Sequence, residues 1–351
     1  MEKVRILLLQ PKPYSCASLD QSWGTRLASK RGPISHEVLL EEDSFQKGDL
    51  QDLERTFLRW SGKVSGVVGA TSVPESTRLG ELVEEASLLC FVSNNDPVVR
   101  GARRFIFHIG IPTRLTSKAV SRELLKMGLK RLYLLYDETN FQKRVAMTTA
   151  AELKAGGAEV RLKASADHDW LEDVMAWKPE ALYMVYSEES RALPRAQALQ
   201  RAVPNLVLLL GRSLLRRSFL KALGSVAEGV LVVDMFRRGS PRSQNEAMFL
   251  KVFAESGVDL PTSNHGFGWD ALILCTIALR AAKGDATDAV EHLESGVEIE
   301  AATGPYRFSK EDHNGRGIFD PTILSRVRRG QVEPCQLTPQ TPSTPSNDSV
   351  A

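Results

Sequence analysis

The sequence predicts an α/β protein built on two parallel sheets, and three observations carry that prediction. Short apolar runs such as 4–9, 66–69, 88–92 and 132–136 alternate with helical patterns across tight loops, the arrangement that gives parallel strands joined by right-handed crossovers. Within each run successive residues are apolar, as strands covered on both faces require. The alternation also starts twice, at residue 4 and again near residue 116, so two blocks lie end to end and two sheets are implied.

Val4 to Leu9 reads as the first strand. Pro11 to Pro33 reads as irregular, with only a short helix around Trp23, Gly24 and Leu27 before Gly32-Pro33 closes it. Val38 to Leu40 is the next strand, and Leu50 to Leu58 carries apolar residues at 50, 53, 57 and 58, one face of a helix. Gly66 to Gly69 is a strand that ends in a small, hydroxyl-rich loop, 70–76, followed by a helical pattern from Glu75 to Ala86. Leu88 to Val92 then breaks into a polar loop, Ser93 to Asp96. Both loops fall at the carboxyl ends of neighbouring strands, where an open α/β sheet offers a crevice to a ligand. Phe105 to Ile109 is a further strand, and Ile111 to Arg114 runs on without a turn signal, as a connection between domains does.

The second block opens with a helix from Thr116 that stops at Gly128, a glycine in its usual place after a helix. Strands at 132–136, 159–162, 181–186, 206–210 and 229–233 then alternate with helices at 141–155, 169–177, 190–202 and 214–222. After Asp234 the pattern lapses into helices at 242–255, 266–282 and 285–295. Gly304, Pro305, Phe308 and Gly315 mark turns around a short extended piece, and Phe319 to Val327 reads as a closing strand. From about residue 333 the chain is rich in Pro, Ser and Thr with little to bury, so it reads as a disordered tail.

A length of 351 residues suits two domains of ordinary size. Apolar content of 42% and charged content of 25% are those of a soluble globular protein. Forty-five basic against 43 acidic residues leave a net charge of +2, so no global field calls for nucleic acid or an anionic membrane. Cys16, Cys90, Cys275 and Cys335 form no CxxC pair, and Cys90 and Cys275 read as small buried hydrophobes. The opening MEKVRILLLQPKP is a buried strand rather than an export signal, and no window reaches the length of a membrane span, so no direct membrane insertion is expected.

No enzyme chemistry is legible. The histidines at 36, 108, 168, 265, 292 and 313 show no metal-binding spacing, and no nucleotide-binding glycine motif occurs. Asp167-His168-Asp169 is the one local cluster of His and carboxylates, and its place before a helix reads as a cap. No cofactor, metal or catalytic residue is expected.

Five segments together resemble a known family: the solute-binding proteins of branched-chain amino-acid type ABC transporters, which have the type I periplasmic-binding fold of the Leu/Ile/Val-binding protein. VSGVVGATSVPEST looks like the family's strand and ligand loop, and LLCFVSNNDPVVRGARRFIFHIG is similar to its next strand and second ligand loop. LLKMGLKRLYLLYDETNF resembles the start of its second lobe, and AEGVLVVDMF resembles the strand leading back. FGWDALILCTIALRAA with TGPYRFSKEDHNGRG is similar to its late helix and hairpin. The order and spacing agree over roughly residues 4 to 330.

The resemblance implies a two-lobed Venus-flytrap, each lobe a parallel sheet flanked by helices, with crossover strands joining them. Residues 1–112 with 240–300 would form lobe one, 113–239 with 301–332 lobe two, and 333–351 the tail. It also exposes departures. The family's long first helix is cut to WGTRLASKRGPI, which implies a thinner first lobe. In the family's amino-acid binders an acidic residue after a late lobe-two strand holds the ligand's ammonium group. Here that loop is Gly211-Arg212-Ser213, so the contact is absent or inverted.

By position in these loops, Thr71, Ser72, Ser93 and Asn95 would offer donors to a carboxylate or carbonyl. Capping of the following helices is the competing use of the same side chains. Arg212 would pair with a ligand carboxylate, against the bland alternative of a solvated arginine beside Arg216 and Arg217. Phe141, Glu189 and Tyr186 sit where lobe two would face the cleft, Tyr186 equally well as a sheet residue. Tyr14 belongs to the first cleft loop by position.

The function implied is non-catalytic binding of a small polar or carboxylated ligand, amino-acid-like, an aromatic or aliphatic acid, or an amide, for delivery to ABC permease subunits. The rival is a cytoplasmic sensor of the same fold that regulates a partner protein. The resemblance implies a periplasmic protein, whereas the missing export signal fits the cytoplasmic rival.

Overall fold

A computed structural model of the chain describes residues 3–70, 72–94, 103–316 and 319–335. The first lobe is built on β1 (Val4–Lys12), β2 (Val38–Gln46), β3 (Gly66–Gly69), β4 (Leu89–Val92) and β5 (Ile106–His108), ordered β2-β1-β3-β4-β5. Every pairing in this sheet is parallel. Alternation along β1 sends Ile6 and Leu8 to one core and Leu7 and Leu9 to the other, so the sheet is covered on both faces as its apolar runs required. β2 extends well past the expected Leu40, because as an edge strand it tolerates the polar sequence EEDSFQ.

The first helix corrects the sequence expectation of a truncated segment. α1 spans Cys16–Arg31, sixteen residues, opened by a capping box in which Ser15 accepts from the Ser18 amide and Ser18 accepts from the Ser15 amide. Periodicity failed here because α1 buries small and polar side chains, including Ser18, Gln21, Ser22, Gly24 and Thr25, while Leu19 and Trp23 are exposed. α2 (Leu50–Leu58) and α3 (Val73–Ala86) cover the other face of the sheet.

The second lobe alternates α4 (Thr113–Lys126), β6 (Arg131–Tyr136), α5 (Asn140–Ala155), β7 (Glu159–Ala164), α6 (Trp170–Trp177), β8 (Ala181–Val185), α7 (Glu189–Ala202), β9 (Val207–Leu210), α8 (Arg217–Leu223) and β10 (Leu231–Asp234). The chain then returns to the first lobe with α9 (Gln244–Glu255), α10 (Ser263–Ala281), α11 (Ala286–Glu294) and the hairpin β11 (Ser295–Ala301) and β12 (Gly304–Ser309), whose Ile299, Tyr306 and Phe308 join the first sheet's core. A last passage delivers β13 (Ile323–Arg328) and β14 (Gln331–Pro334) to the second sheet, ordered β14-β13-β10-β9-β8-β6-β7.

β13 and β14 run antiparallel at one edge of that sheet. The expected closing strand from Phe319 therefore begins later, at Ile323. Residues 333 and 334, expected in the tail, belong to β14 instead; Pro334 is tolerated on this edge strand. The tail beyond residue 335 lies outside the described residues.

Two buried devices hold the first lobe's late elements. Asp270 of α10, wholly buried, accepts from the amides of Ala302 and Thr303 at 2.9 and 3.0 Å and from the Tyr306 hydroxyl at 3.1 Å. Arg316 stacks on Tyr306, 3.7 Å from the ring centroid, and donates to the carbonyls of Thr303 and Pro305. The buried carboxylate and guanidinium stand 3.7 Å apart, and each bonds to the turn before β12.

The second device is the crossing of α1 over α10. A Cβ on Gly24 would lie 2.0 Å from the His265 carbonyl oxygen, and one on Gly268 would lie 1.9 Å from that of Gln21. Thr25 Oγ1 adds a hydrogen bond to the Gly268 carbonyl at 3.0 Å. The two backbones therefore touch, and any side chain at the crossing forces them apart. Gly268→Ala is expected to destabilise the folded chain by about 1–3 kcal/mol, read from urea unfolding; an unchanged midpoint would show that the crossing yields freely.

Candidate functional site

The carboxyl ends of the two sheets carry the loops predicted to meet a ligand, and the structure assigns their side chains different roles. Ser72 is the N-cap of α3, its hydroxyl 2.6 Å from Glu75 Oε2 and accepting weakly from the Glu75 amide at 3.4 Å. Capping is thus the use the structure records for Ser72. Ser93, just past β4, donates to Gln21 Oε1 at 3.2 Å and so ties the second loop to α1. The Gln21 side-chain nitrogen is buried with no partner among the described residues. Thr71 and Asn95 lie outside the described residues.

Tyr14 is half-buried after β1, and its hydroxyl lies 3.5 Å from Arg26 Nη2, beside the Arg26–Glu42 ion pair of α1 and β2. Phe141 is 46% exposed on the first turn of α5, with the Arg144 guanidinium 5.8 Å from its ring centroid. Tyr186 is fully buried in the second lobe's core, which makes it a sheet-end packing residue rather than a platform open to ligand. Asp169 precedes α6 without a side-chain capping bond and pairs with Lys163 at 2.7 Å on the surface.

The three arginines 212, 216 and 217 do not form a solvated run. Arg217 pairs with Asp259 at 2.6 Å and donates to the Gly330 carbonyl. Arg216 turns to the first lobe, where it meets Asp20 of α1 in a two-pronged contact, Nη1 to Oδ1 at 3.1 Å and Nη2 to Oδ2 at 2.6 Å. Glu189, offered by the sequence as a ligand contact, is occupied: its oxygens accept from Ser218 at 3.1 and 2.9 Å and stand 3.5 Å from Arg216 Nε.

Arg212 differs from both. It follows β9, stands over the Phe267 ring of α10 at 5.8 Å and reaches Met235 Sδ of the returning crossover at 4.0 Å. Among the described residues no carboxylate forms an ion pair with it, and burial lowers its pKa, opposed by Tyr183 and Asp320. A half-buried guanidinium with open donors between two lobes is suited to a planar anion.

Asp20, Thr262 and His265 were not legible in the sequence as a group. Asp20 fell in a segment read as irregular, and the other two lie 242 residues or more away. Thr262, the N-cap of α10, donates to Asp20 Oδ2 at 2.6 Å, and His265 Nε2 stands 3.7 Å from Asp20 Oδ1. A groove of about 580 Å³ between α4 and α5, lined by Lys118, Ser121, Arg122 and Glu152, lies toward the amino ends of the strands, away from these loops. Among the described residues no set of three His, Cys, Asp or Glu side chains could hold a metal ion, and no helix is long and apolar enough to cross a membrane.

Burial pulls the His265 pKa from 6.5 down to about 4, with Asp20 opposing and Arg216 adding to the shift. The unfolded chain therefore binds more protons at this residue than the folded one between those values, so stability present at neutral pH is lost as pH falls through that window. The expected loss is about 3 kcal/mol. His265→Gln, which keeps an acceptor for the Thr262 amide, is expected to flatten this part of the acid limb in urea unfolding from pH 7 to 4; an equal slope in both proteins would refute it.

A family profile described as periplasmic binding protein matches residues 50–326. The fold is similar to that of a leucine-binding protein from Thermotoga maritima, with 18% identity, a TM-score of 0.77 and coverage of 94% of this chain and 97% of that one. A solute-binding protein of an R. palustris ABC transporter, in complex with benzoate, gives 17% identity and a TM-score of 0.76, with 95% of each chain covered. An ABC transporter substrate-binding protein from Desulfitobacterium hafniense, in complex with Leu, gives 17% and 0.73, covering 95% of this chain and 100% of that one. No curated protein matches the sequence.

Proposed function

Because the chain belongs to the periplasmic binding protein family, we propose that it is a non-catalytic binding protein that holds a small carboxylated molecule between its lobes, as the substrate-binding component of an ABC importer. The observation that carries this reading is Arg212, a cation with no acid partner among the described residues, set between the end of β9 and Phe267 of the facing lobe. The lobe limits expected from the sequence, 1–112 with 240–300 and 113–239 with 301–332, belong to the proposal with one change: the hairpin β11–β12, residues 295–309, goes with lobe one, since its Ile299, Tyr306 and Phe308 pack in that core. The Gln21 amide, unpaired among the described residues, supplies a donor from lobe one, and Ser93 holds Gln21 in place. The permease subunits would receive the closed, loaded form, since a ligand favours closure only as far as it touches both lobes.

The same geometry separates acids from amino acids. The loop after β9 offers a guanidinium where an ammonium-binding acid would be needed, and Glu189 is engaged by Ser218 and Arg216. A carboxylate without an α-amino group suits the site better than its amino-acid counterpart. A second reading, a cytoplasmic sensor acting on a partner protein, draws support from four free cysteines.

Titration calorimetry with benzoate, 4-methylpentanoate, leucine and the matching amides tests the proposal. At least one of the two simple acids is expected to bind, and 4-methylpentanoate to bind more tightly than leucine. Arg212→Gln is expected to weaken the bound acid about 10-fold to 100-fold, the worth of a charge-assisted hydrogen-bonded pair. Unchanged affinity in the variant would remove Arg212 from the site.

A further inference from the structure

The contact between Asp20 and Arg216 joins the lobes without any ligand atom. Asp20 lies on α1, packed against the first sheet and α10, and Arg216 immediately precedes α8, whose Phe219 and Leu220 belong to the second sheet's core. Their side chains are only 6% and 17% exposed, so the pair is largely withdrawn from water.

The pair is also closely fitted. Asp20 presents both oxygens to the guanidinium fork and takes a further hydrogen bond from Thr262 Oγ1 at 2.6 Å. Arg216 has Glu189 of its own lobe on its remaining side, Nε to Oε1 at 3.5 Å. Those second partners hold each charge in place within its own lobe. Thr262 braces Asp20 through α10, and Glu189 braces Arg216 through α7. The two-pronged pair itself crosses from lobe to lobe, beside the more exposed pair of Arg217 with Asp259.

We propose that Asp20 and Arg216 are positioning residues that clasp the two lobes, so that closing the cleft is driven in part by the protein's own charges. The proposal rests on the two-lobed ligand-binding reading and adds a property to it. A ligand entering such a cleft bears less of the closing free energy, because a ligand's apparent affinity scales with the population of the competent form. Arg212 and Arg216 sit four residues apart in one loop, so the anion anchor and the clasp are placed by the same segment. One arginine is left for the guest and the other is committed to the facing lobe.

Small-angle scattering tests the clasp on the full chain, unfolded in denaturant, dialysed to remove bound small molecules and refolded, with no ligand added. Asp20→Asn keeps the side-chain shape, Arg216→Gln removes the guanidinium fork while leaving a polar side chain, and the two lie in different lobes, so if one fails to refold the other still decides. Either variant is expected to raise the radius of gyration by about 1 Å as the lobes part. Arg191→Gln, which removes a guanidinium paired with Glu138 inside lobe two, is expected to match the wild type. Arg216→Lys, which keeps the charge without the fork, is expected to fall between. A wild-type radius in refolded Asp20→Asn or Arg216→Gln overturns the clasp, as does an equal rise in Arg191→Gln. Since the measurement reads shape alone, failure of benzoate or 4-methylpentanoate to bind the wild type would count against the ligand reading and leave this result standing.

Discussion

The backbone contact between α1 and α10 is the constraint on which the rest of the cleft depends. With Gly24 and Gly268 at the crossing, the helices approach until carbonyl oxygens occupy the space of a side chain. That proximity seats Asp20 beside Thr262 and His265, and it brings Gln21 over the loop that carries Ser93. It also explains the unusual distribution of residues on α1. A helix whose buried side meets another backbone has no room for leucine, so small and polar residues face inward and Leu19 and Trp23 face outward.

This inversion marks the limit of what the sequence made legible. The parallel sheets could be read because their strands are apolar on consecutive residues, and the cleft loops because they end those strands. α1 could not, because periodicity finds helices by an apolar stripe and this helix buries none. For the same reason Asp20 was hidden within a segment that reads as irregular. β2 was foreshortened because an edge strand with one open side needs fewer apolar residues, and β14 because Pro334 imitates a disordered tail.

The arginines carry a related lesson about charge. Three within six residues look like a solvated patch, and such patches usually are. Position along the loop separates them here. Arg217 takes Asp259, in the connection between α9 and α10, together with the Gly330 carbonyl, Arg216 takes Asp20, and Arg212 is left between Phe267 and Met235 with no acid paired to it among the described residues. Burial raises the demand for a partner in proportion to the water removed, so the unpaired member of the trio is the informative one. The hydroxyl loops say less, because Ser72 shows how readily a helix start claims the same oxygen.

Among the described residues the chain passes between the lobes three times: after β5, after β10 and after β12. An odd number of passages leaves β1 in one lobe and β14 in the other, so the described chain starts on one jaw and finishes on its opposite. A pair of fluorophores joined near those two strands would straddle the hinge with no cysteine introduced into either half. The separation between the strands becomes a ruler for the gape of the molecule.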